Sequence, residues 1–427
     1  MSIRRVAIAL AALVVASCSM PAAGTASPAP TPATTLSAPA SPVGPSRNPA
    51  KPTPNDDVVN YWGISQVAPF ELWISASQRT DAFLLHTEDG RSWNRRPLPP
   101  TDVANATLRF VDRSHGWFVG DDRPPSGGCA APGATCRSVI YGTTDGGRSW
   151  TPQWSWPWSA VGASLRAFYA LDARHAWVAE YGQGCTVATC SVRVRSTTDG
   201  TTWNAIGELP SFVTNMVFVS ATLGWAASYT NMSGPKNVAE ILVTTNGGAS
   251  WTRQFHADGG LPRFAVSFAN AREGWALGSD LERCGMSGCD ASAYSVYATS
   301  DGGATWETRA QLLVPTDVSP DRQVSGGGFF DRIVFSSRSA DWSGWITVGA
   351  GAGSGHGGVV ASSDGGRSWI RSGGDAQGSW DVREVSSPND PAVAWAVGNY
   401  LGYDGGFLAE TGDGGRTWTR VLPSPLH

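Results

Sequence analysis

Seven times along the chain an Asp or Asn is followed by one or two glycines, one further residue, a Ser or Thr and a tryptophan. The acidic or amide positions are Asp89, Asp145, Asp199, Asn246, Asp301, Asp364 and Asp413. Recurring carboxylates invite a metal or a catalytic reading. Calcium takes six to eight oxygens around one ion, and one carboxylate per unit cannot supply them when successive copies stand 56, 54, 47, 55, 63 and 49 residues apart. Catalysis fares worse, because Asn246 replaces the acid in the fourth copy. Asp-Gly and Asn-Gly are hairpin-turn chemistry: glycine accepts positive φ, and the side-chain oxygen accepts bonds from turn amides. The tryptophan can lie back over the hairpin and bury a large apolar area. The motif is therefore expected to be a structural fastener, with no metal and no cofactor.

Two other residue types could do chemistry. Six of the seven cysteines come as close pairs, Cys129 with Cys136, Cys185 with Cys190, and Cys284 with Cys289, each at the same place in its unit. Six cysteines allow fifteen pairings, and export to an oxidising compartment favours disulfides. Local disulfides are expected; the alternative, zinc, wants four converging ligands, and no histidines partner the pairs. Arginine recurs near the start of the first strand of a unit, at Arg109, Arg166, Arg263, Arg332 and Arg383. A ring of guanidiniums would suit a carboxylate or phosphate. The competing expectation is that arginines at different offsets from the Gly-Trp signature point partly between units. Trp154, Trp156 and Trp158 alternate on one strand face, either as a sugar platform or as packing between units.

The elements that must position these residues follow from the repeat. Upstream of each turn an apolar run, a polar turn and an apolar run recur, as in LRFVDRSHGWFVG (Leu108 to Gly120) and VSFANAREGWALG (Val266 to Gly278). That is a hairpin; a third strand runs into the Asp turn, and a fourth begins at or after its tryptophan. The expected fold is all-β: a seven-bladed β-propeller of four-stranded antiparallel blades over residues 58–425. The Asp turns and first hairpin turns then share one face. The second-to-third loops, which carry the cysteines, and the inner-strand starts, which carry the arginines, share the other.

Ahead of the repeats, residues 1–18 read as a lipoprotein signal peptide: Arg4-Arg5, an apolar run from Val6 to Val15, then Val15-Ala16-Ser17-Cys18. Cys18 is the expected lipidation site, an ordinary cleavage site being the alternative. Residues 19–57, rich in Pro, Ala, Ser and Thr, are expected to be a disordered tether. The protein is thus expected to be extracytoplasmic, anchored by lipid to the outer face of the cell membrane, and monomeric. A net charge of −4 and a pI near 5.9 give no electrostatic case for nucleic acid.

The Asp turn resembles the Asp-box or BNR repeat (Ser/Thr-x-Asp-x-Gly-x-Ser/Thr-Trp) of sialidases and many bacterial propellers; the copies at Asp89 and Asp199 are one residue short. The F-x-D-x-x-x-G-W-x-x-G half is similar to the photosystem II stability and assembly factor family. That resemblance implies a non-catalytic propeller that binds a protein, peptide or glycan partner or assists envelope assembly. The alternative is a sialidase-like exo-glycosidase, for which the family implies an arginine triad, a Tyr nucleophile with a Glu, and an acid/base Asp. The nearest string to its early-strand motif is Asp331-Arg332-Ile333-Val334, without the proline, and Tyr169, Tyr294, Tyr400 and Tyr403 are not signposted as nucleophiles. No catalytic residue is assigned.

Overall fold

The computed structural model describes residues 34–35, 58–122, 137–157, 167–181, 192–210, 212–230, 238–258, 264–280, 293–313, 329–337, 342–349, 358–373, 380–387, 390–400 and 405–424. They build seven antiparallel four-stranded sheets, each made of four consecutive strands in sequence order. The inner strands of blades 1 to 7 are Val59–Ala68, Thr107–Phe110, Phe168–Ala170, Phe212–Phe218, Phe264–Phe268, Phe329–Ser337 and Trp380–Ser386. Each inner strand touches that of the next blade, and the seventh touches the first. The expected seven-bladed propeller is thus the observed fold. A two-residue strand, Thr34–Thr35, adds in parallel to the outer strand of blade 5.

Burial explains the sequence pattern of each blade. The second strand of blade 2, Gly116–Asp122, is buried along six of its seven residues because neighbouring blades cover both its faces. Such a strand loses the in–out alternation and reads as a continuous apolar run. The outer strand, Thr151–Pro157, is mostly exposed or half-buried and reads as polar.

The seams between blades are built from rings. At four seams the second-strand tryptophan of one blade stacks flat on an inner-strand phenylalanine of the next. The pairs are Trp73 on Phe110 (4.1 Å between centroids), Trp177 on Phe218 (3.7 Å), Trp225 on Phe268 (3.5 Å) and Trp275 on Phe335 (4.0 Å). Each phenylalanine then meets the tryptophan of its own blade's Asp turn edge-on, at 5.8 to 6.0 Å. Stacked and T-shaped contacts are the two favoured aromatic geometries, so a three-ring unit satisfies both.

The same rings explain the glycine of the Gly-Trp signature. Phe110, Phe218, Phe268 and Phe335 pair across the first hairpin with Gly116, Gly224, Gly274 and Gly344. A Cβ at any of those glycines would lie 2.4 or 2.5 Å from the ring. Where the phenylalanine is absent the glycine is too: Ala170 faces Ala176 in blade 3, Gln66 faces Leu72 in blade 1, and Ala394 precedes Trp395 in blade 7.

Among the described residues no strand is exchanged between the first and last blades. Their seam is held by the Ile64 amide on Glu384 Oε2 (3.1 Å), the Trp395 indole on the Pro69 carbonyl (2.9 Å) and a single parallel bridge between Ser92 and Ser424. Tyr61, Ile64 and Leu72 share one core with Trp395, Val397 and Leu408 beneath these bonds.

Candidate functional site

The Asp turns lie on the face that carries the first hairpin turns. In blade 2 the Gly146 amide donates to Ser114 O at 2.9 Å, and equivalent bonds join Gly200 to Arg174, Gly247 to Thr222 and Gly302 to Arg272. Within the turn, Thr143 Oγ1 donates to Asp145 Oδ1 (2.8 Å) and accepts from the Gly147 amide (2.9 Å). Asp145 Oδ1 also accepts from the amides of Arg148 and Ser149, and the Ser149 hydroxyl donates to Oδ2 at 2.6 Å. Gly146 and Gly147 have φ of 75° and 86°, where a Cβ is disfavoured. Asn246 keeps the arrangement by reversing one bond, its Nδ2 donating to Ser250 Oγ at 2.8 Å.

The one-residue-short turns at Asp89 and Asp199 make the same carboxylate bonds. They differ in what they offer the neighbouring blade. In four of the five longer turns the first glycine's carbonyl accepts the preceding blade's indole: Gly146 from Trp73, Gly247 from Trp177, Gly302 from Trp225 and Gly365 from Trp275, at 2.8 to 3.1 Å. At the fifth, in blade 7, the Trp345 indole is buried without a partner among the described residues. At the short turn of blade 3, Gln153 stands in; its Oε1 accepts from Trp117 and Trp203, and its Nε2 donates to Gly200 O. Pro69 O does so for Trp395 in blade 1. Sequence reasoning assigned the fastening to the turn tryptophan. The stronger fastener is the second-strand tryptophan, which it read only as part of a hairpin.

These bonds fix the turn carboxylates as ionised. The amides of Ser92 and Arg91 hold Asp89 well below the usual carboxylate range, and those of Thr202 and Thr201 do the same for Asp199. The Thr305 hydroxyl and amide hold Asp301 at about 2. At Asp145 burial alone would raise the value, but donors from Ser149, Thr143 and Arg148 outweigh it and leave it at about 2. Groups depressed in this way stabilise the fold above the unfolded value of about 4, and that contribution is lost as pH falls through the folded values. The urea midpoint should therefore drop most steeply between about pH 4 and pH 2. A midpoint that stays level across that window would show that the turn bonds carry little of the fold's stability.

Among the described residues one group brings metal-type ligand atoms together: Glu71, His86 and Glu88 in blade 1, within 4.8 Å of one another. Their surroundings do not fit a cation. Arg96 Nη2 lies 2.8 Å from His86 Nδ1, and a guanidinium only donates, so Nδ1 is the acceptor and the neutral ring carries its proton on Nε2. That nitrogen then has no lone pair for a metal. Arg113 Nε on Glu71 Oε2 (2.8 Å) adds further positive charge.

Among the described residues the candidate arginines lie on the inner strands. Arg109, paired with Trp117 beside the first hairpin turn, sits at the Asp-turn end of its strand and not, as expected, at a strand start on the opposite face. Arg109 and Arg383 are half-buried, each over an aromatic ring of the next blade: Arg109 at 5.7 Å from Tyr169, and Arg383 at 4.5 Å from Trp62. Burial pushes the Tyr169 hydroxyl up, against Arg109; it pushes the Arg383 guanidinium down, against Asp381. Arg332 lies on the inner strand of blade 6, with its side chain outside the described set. Arg166, Arg263, Cys18 and the six paired cysteines lie outside the described residues. Of the alternating tryptophans, Trp156 is buried in a core shared by blades 2 and 3, and Trp154 lies 3.9 Å under the Arg195 guanidinium. Both pack against blade 3.

A closed ring of seven four-stranded blades, fastened by Asp turns on one face, defines the protein's class as a seven-bladed β-propeller. No known family model matches the chain, and neither does any curated protein. Solved structures do resemble it. A prolyl endopeptidase is 10% identical over 86% of this chain and 49% of its own, with a TM-score of 0.53. The chain thus spans about half the length of that enzyme. YCF48 from Cyanidioschyzon merolae is 17% identical over 84% of this chain and 97% of its own, with a TM-score of 0.48. An α-L-arabinanase from Penicillium chrysogenum is 11% identical over 74% and 96%, at 0.45. Such distances speak to the fold alone.

Proposed function

We propose that this propeller is a non-catalytic binding or assembly lipoprotein, exported, lipidated at Cys18 and held outside the cell membrane by the tether of residues 19–57. Its partner is a protein, peptide or glycan of the envelope. The observation that carries the reading is the bonding of the repeated carboxylates, each spent within its own turn. The surface proposed for the partner is on the inner strands, where Arg109 and Arg383 overlie Tyr169 and Trp62. The resemblance of the turns to Asp-boxes, and of the hairpin to the photosystem II assembly factor family, supports the same reading.

Two arms test it. Cys18→Ala should move the protein from the membrane fraction to the soluble fraction; equal membrane retention overturns the anchor. A soluble body of residues 57–427 should capture a cross-linked envelope partner, and Arg109→Ala with Arg383→Ala should lower that capture at least tenfold. Equal capture by the double variant places the partner elsewhere.

A further inference from the structure

The buried pair Glu71 and His86 sits on the Asp-turn face at the seam between blades 1 and 2. Both side chains are at most 4% exposed, yet His86 Nε2 and Glu71 Oε1 have no hydrogen-bond partner and lie 4.0 Å apart. Buried polar atoms are seldom left in this state. Among the described residues, these charged groups face them. Arg96, from the outer strand of blade 1, bonds His86 Nδ1 with one nitrogen and the Gly146 carbonyl of blade 2 with another. Arg113, from the first turn of blade 2, holds Glu71 Oε2. Glu88 lies beside His86, and Arg148 and Asp145 face the group from the blade 2 Asp turn. Trp73 covers the ring at 4.6 Å and also donates to Gly146 O.

Arg96 therefore ties blade 1 to blade 2 through a histidine that must be neutral. A second proton on His86 would convert Nδ1 from acceptor to donor, facing the donor of Arg96. The same proton would make the ring a cation beside Glu71, whose Oε1 is unoccupied. We propose that this seam is an acid-released latch: protonated His86 exchanges Arg96 for Glu71, and Arg96 leaves the Gly146 carbonyl. The device is distinct from the partner site proposed on the inner strands and does not depend on it.

Burial first, then Arg96, Arg148 and Arg113, hold His86 down to about 4. The unfolded chain takes up this proton near pH 6.5, so the latch's stability is complete above that value and is lost as pH falls towards 4. Burial raises Glu71, against Arg113, and its proton uptake has the opposite sign. A variant that leaves Glu71 in place isolates His86.

The experiment compares urea unfolding of wild type and His86→Gln, whose amide does not titrate, from pH 7 to pH 4. Between pH 6.5 and pH 4 the wild-type unfolding constant should rise relative to the variant's by up to about tenfold per pH unit. Parallel curves overturn the latch. In wild type alone, amide protection across Gly146–Trp150 should fall more between pH 6.5 and pH 4.5 than across Gly247–Trp251, the corresponding turn of blade 4. Equal change in both segments also overturns it, whether or not the variant folds.

Discussion

Trp177→Ala should lower the unfolding free energy by about 3–5 kcal/mol, the range for removing a buried tryptophan. Trp177 is 2% exposed, stacks on Phe218 at 3.7 Å with planes 4° apart, and donates to Gly247 O at 2.8 Å. The alanine variant loses the burial, the stack and the bond together. Trp177→Phe separates them, because it keeps a ring over Phe218 and leaves the Gly247 carbonyl without its indole; its cost should be nearer 1–2 kcal/mol. Urea denaturation followed by the remaining tryptophans measures both. A cost for the alanine variant below that of an exposed-site control would show that the seam is not where stability resides.

The second large effect is at the smallest residue of the seam. Gly224→Ala places a Cβ 2.4 Å from the Phe218 ring, and overpacking of that kind costs about 1–3 kcal/mol. The ring cannot simply retreat, since Trp177 lies on its face and Trp251 at its edge. In a Phe218→Ala background the same substitution should be close to neutral, as Ala176 opposite Ala170 already is in blade 3. A double-mutant cycle on these two positions should return a coupling of at least ~1 kcal/mol. Additive costs would mean that the glycine serves its own backbone and not the ring.

Much of this fold was legible in the residue order, for a local reason. The Asp turn and the Gly-Trp hairpin act over a few residues, so turn chemistry and alternation placed four strands in each of seven units. The seams were not legible, because their bonds join residues 70 to 90 positions apart, such as Trp177 with Gly247 and Trp275 with Gly365. The spacing of Phe110, Gly116 and Trp117 was visible as a motif. Its meaning was not, since the ring that presses Phe110 against Gly116 is Trp73, from another blade. Gln153 carries no signal at all; it is one glutamine on an outer strand whose partners depend on a neighbouring turn being a residue short. Of the candidate anion ring, Arg109 and Arg383 reach the inner-strand face. They were read from their recurrence near the inner-strand starts; Arg109 alternates with buried Leu108 and Phe110, whereas a bulge between Val382 and Glu384 breaks the alternation at Arg383.

The ring is closed by side chains and one bridge, with each blade cut whole from the chain, and this bears on how it folds and how it can be re-cut. Most contacts join neighbours in sequence, so blades can assemble progressively from either end, and only the last seam brings together residues as far apart as Ile64 and Glu384, 320 positions. The entropy of loop closure grows only as the logarithm of length. Going from the 73-residue span of Trp73 to Gly146 to the 326-residue span of Pro69 to Trp395 adds about 1.3 kcal/mol. The seam between first and last blades is therefore nearly as stable as its chemistry allows, wherever the chain happens to begin. Joining the ends near Val58 and Ser424 and opening the polypeptide between two other blades would move that small entropic penalty to a new seam. The circular permutant should keep the ring.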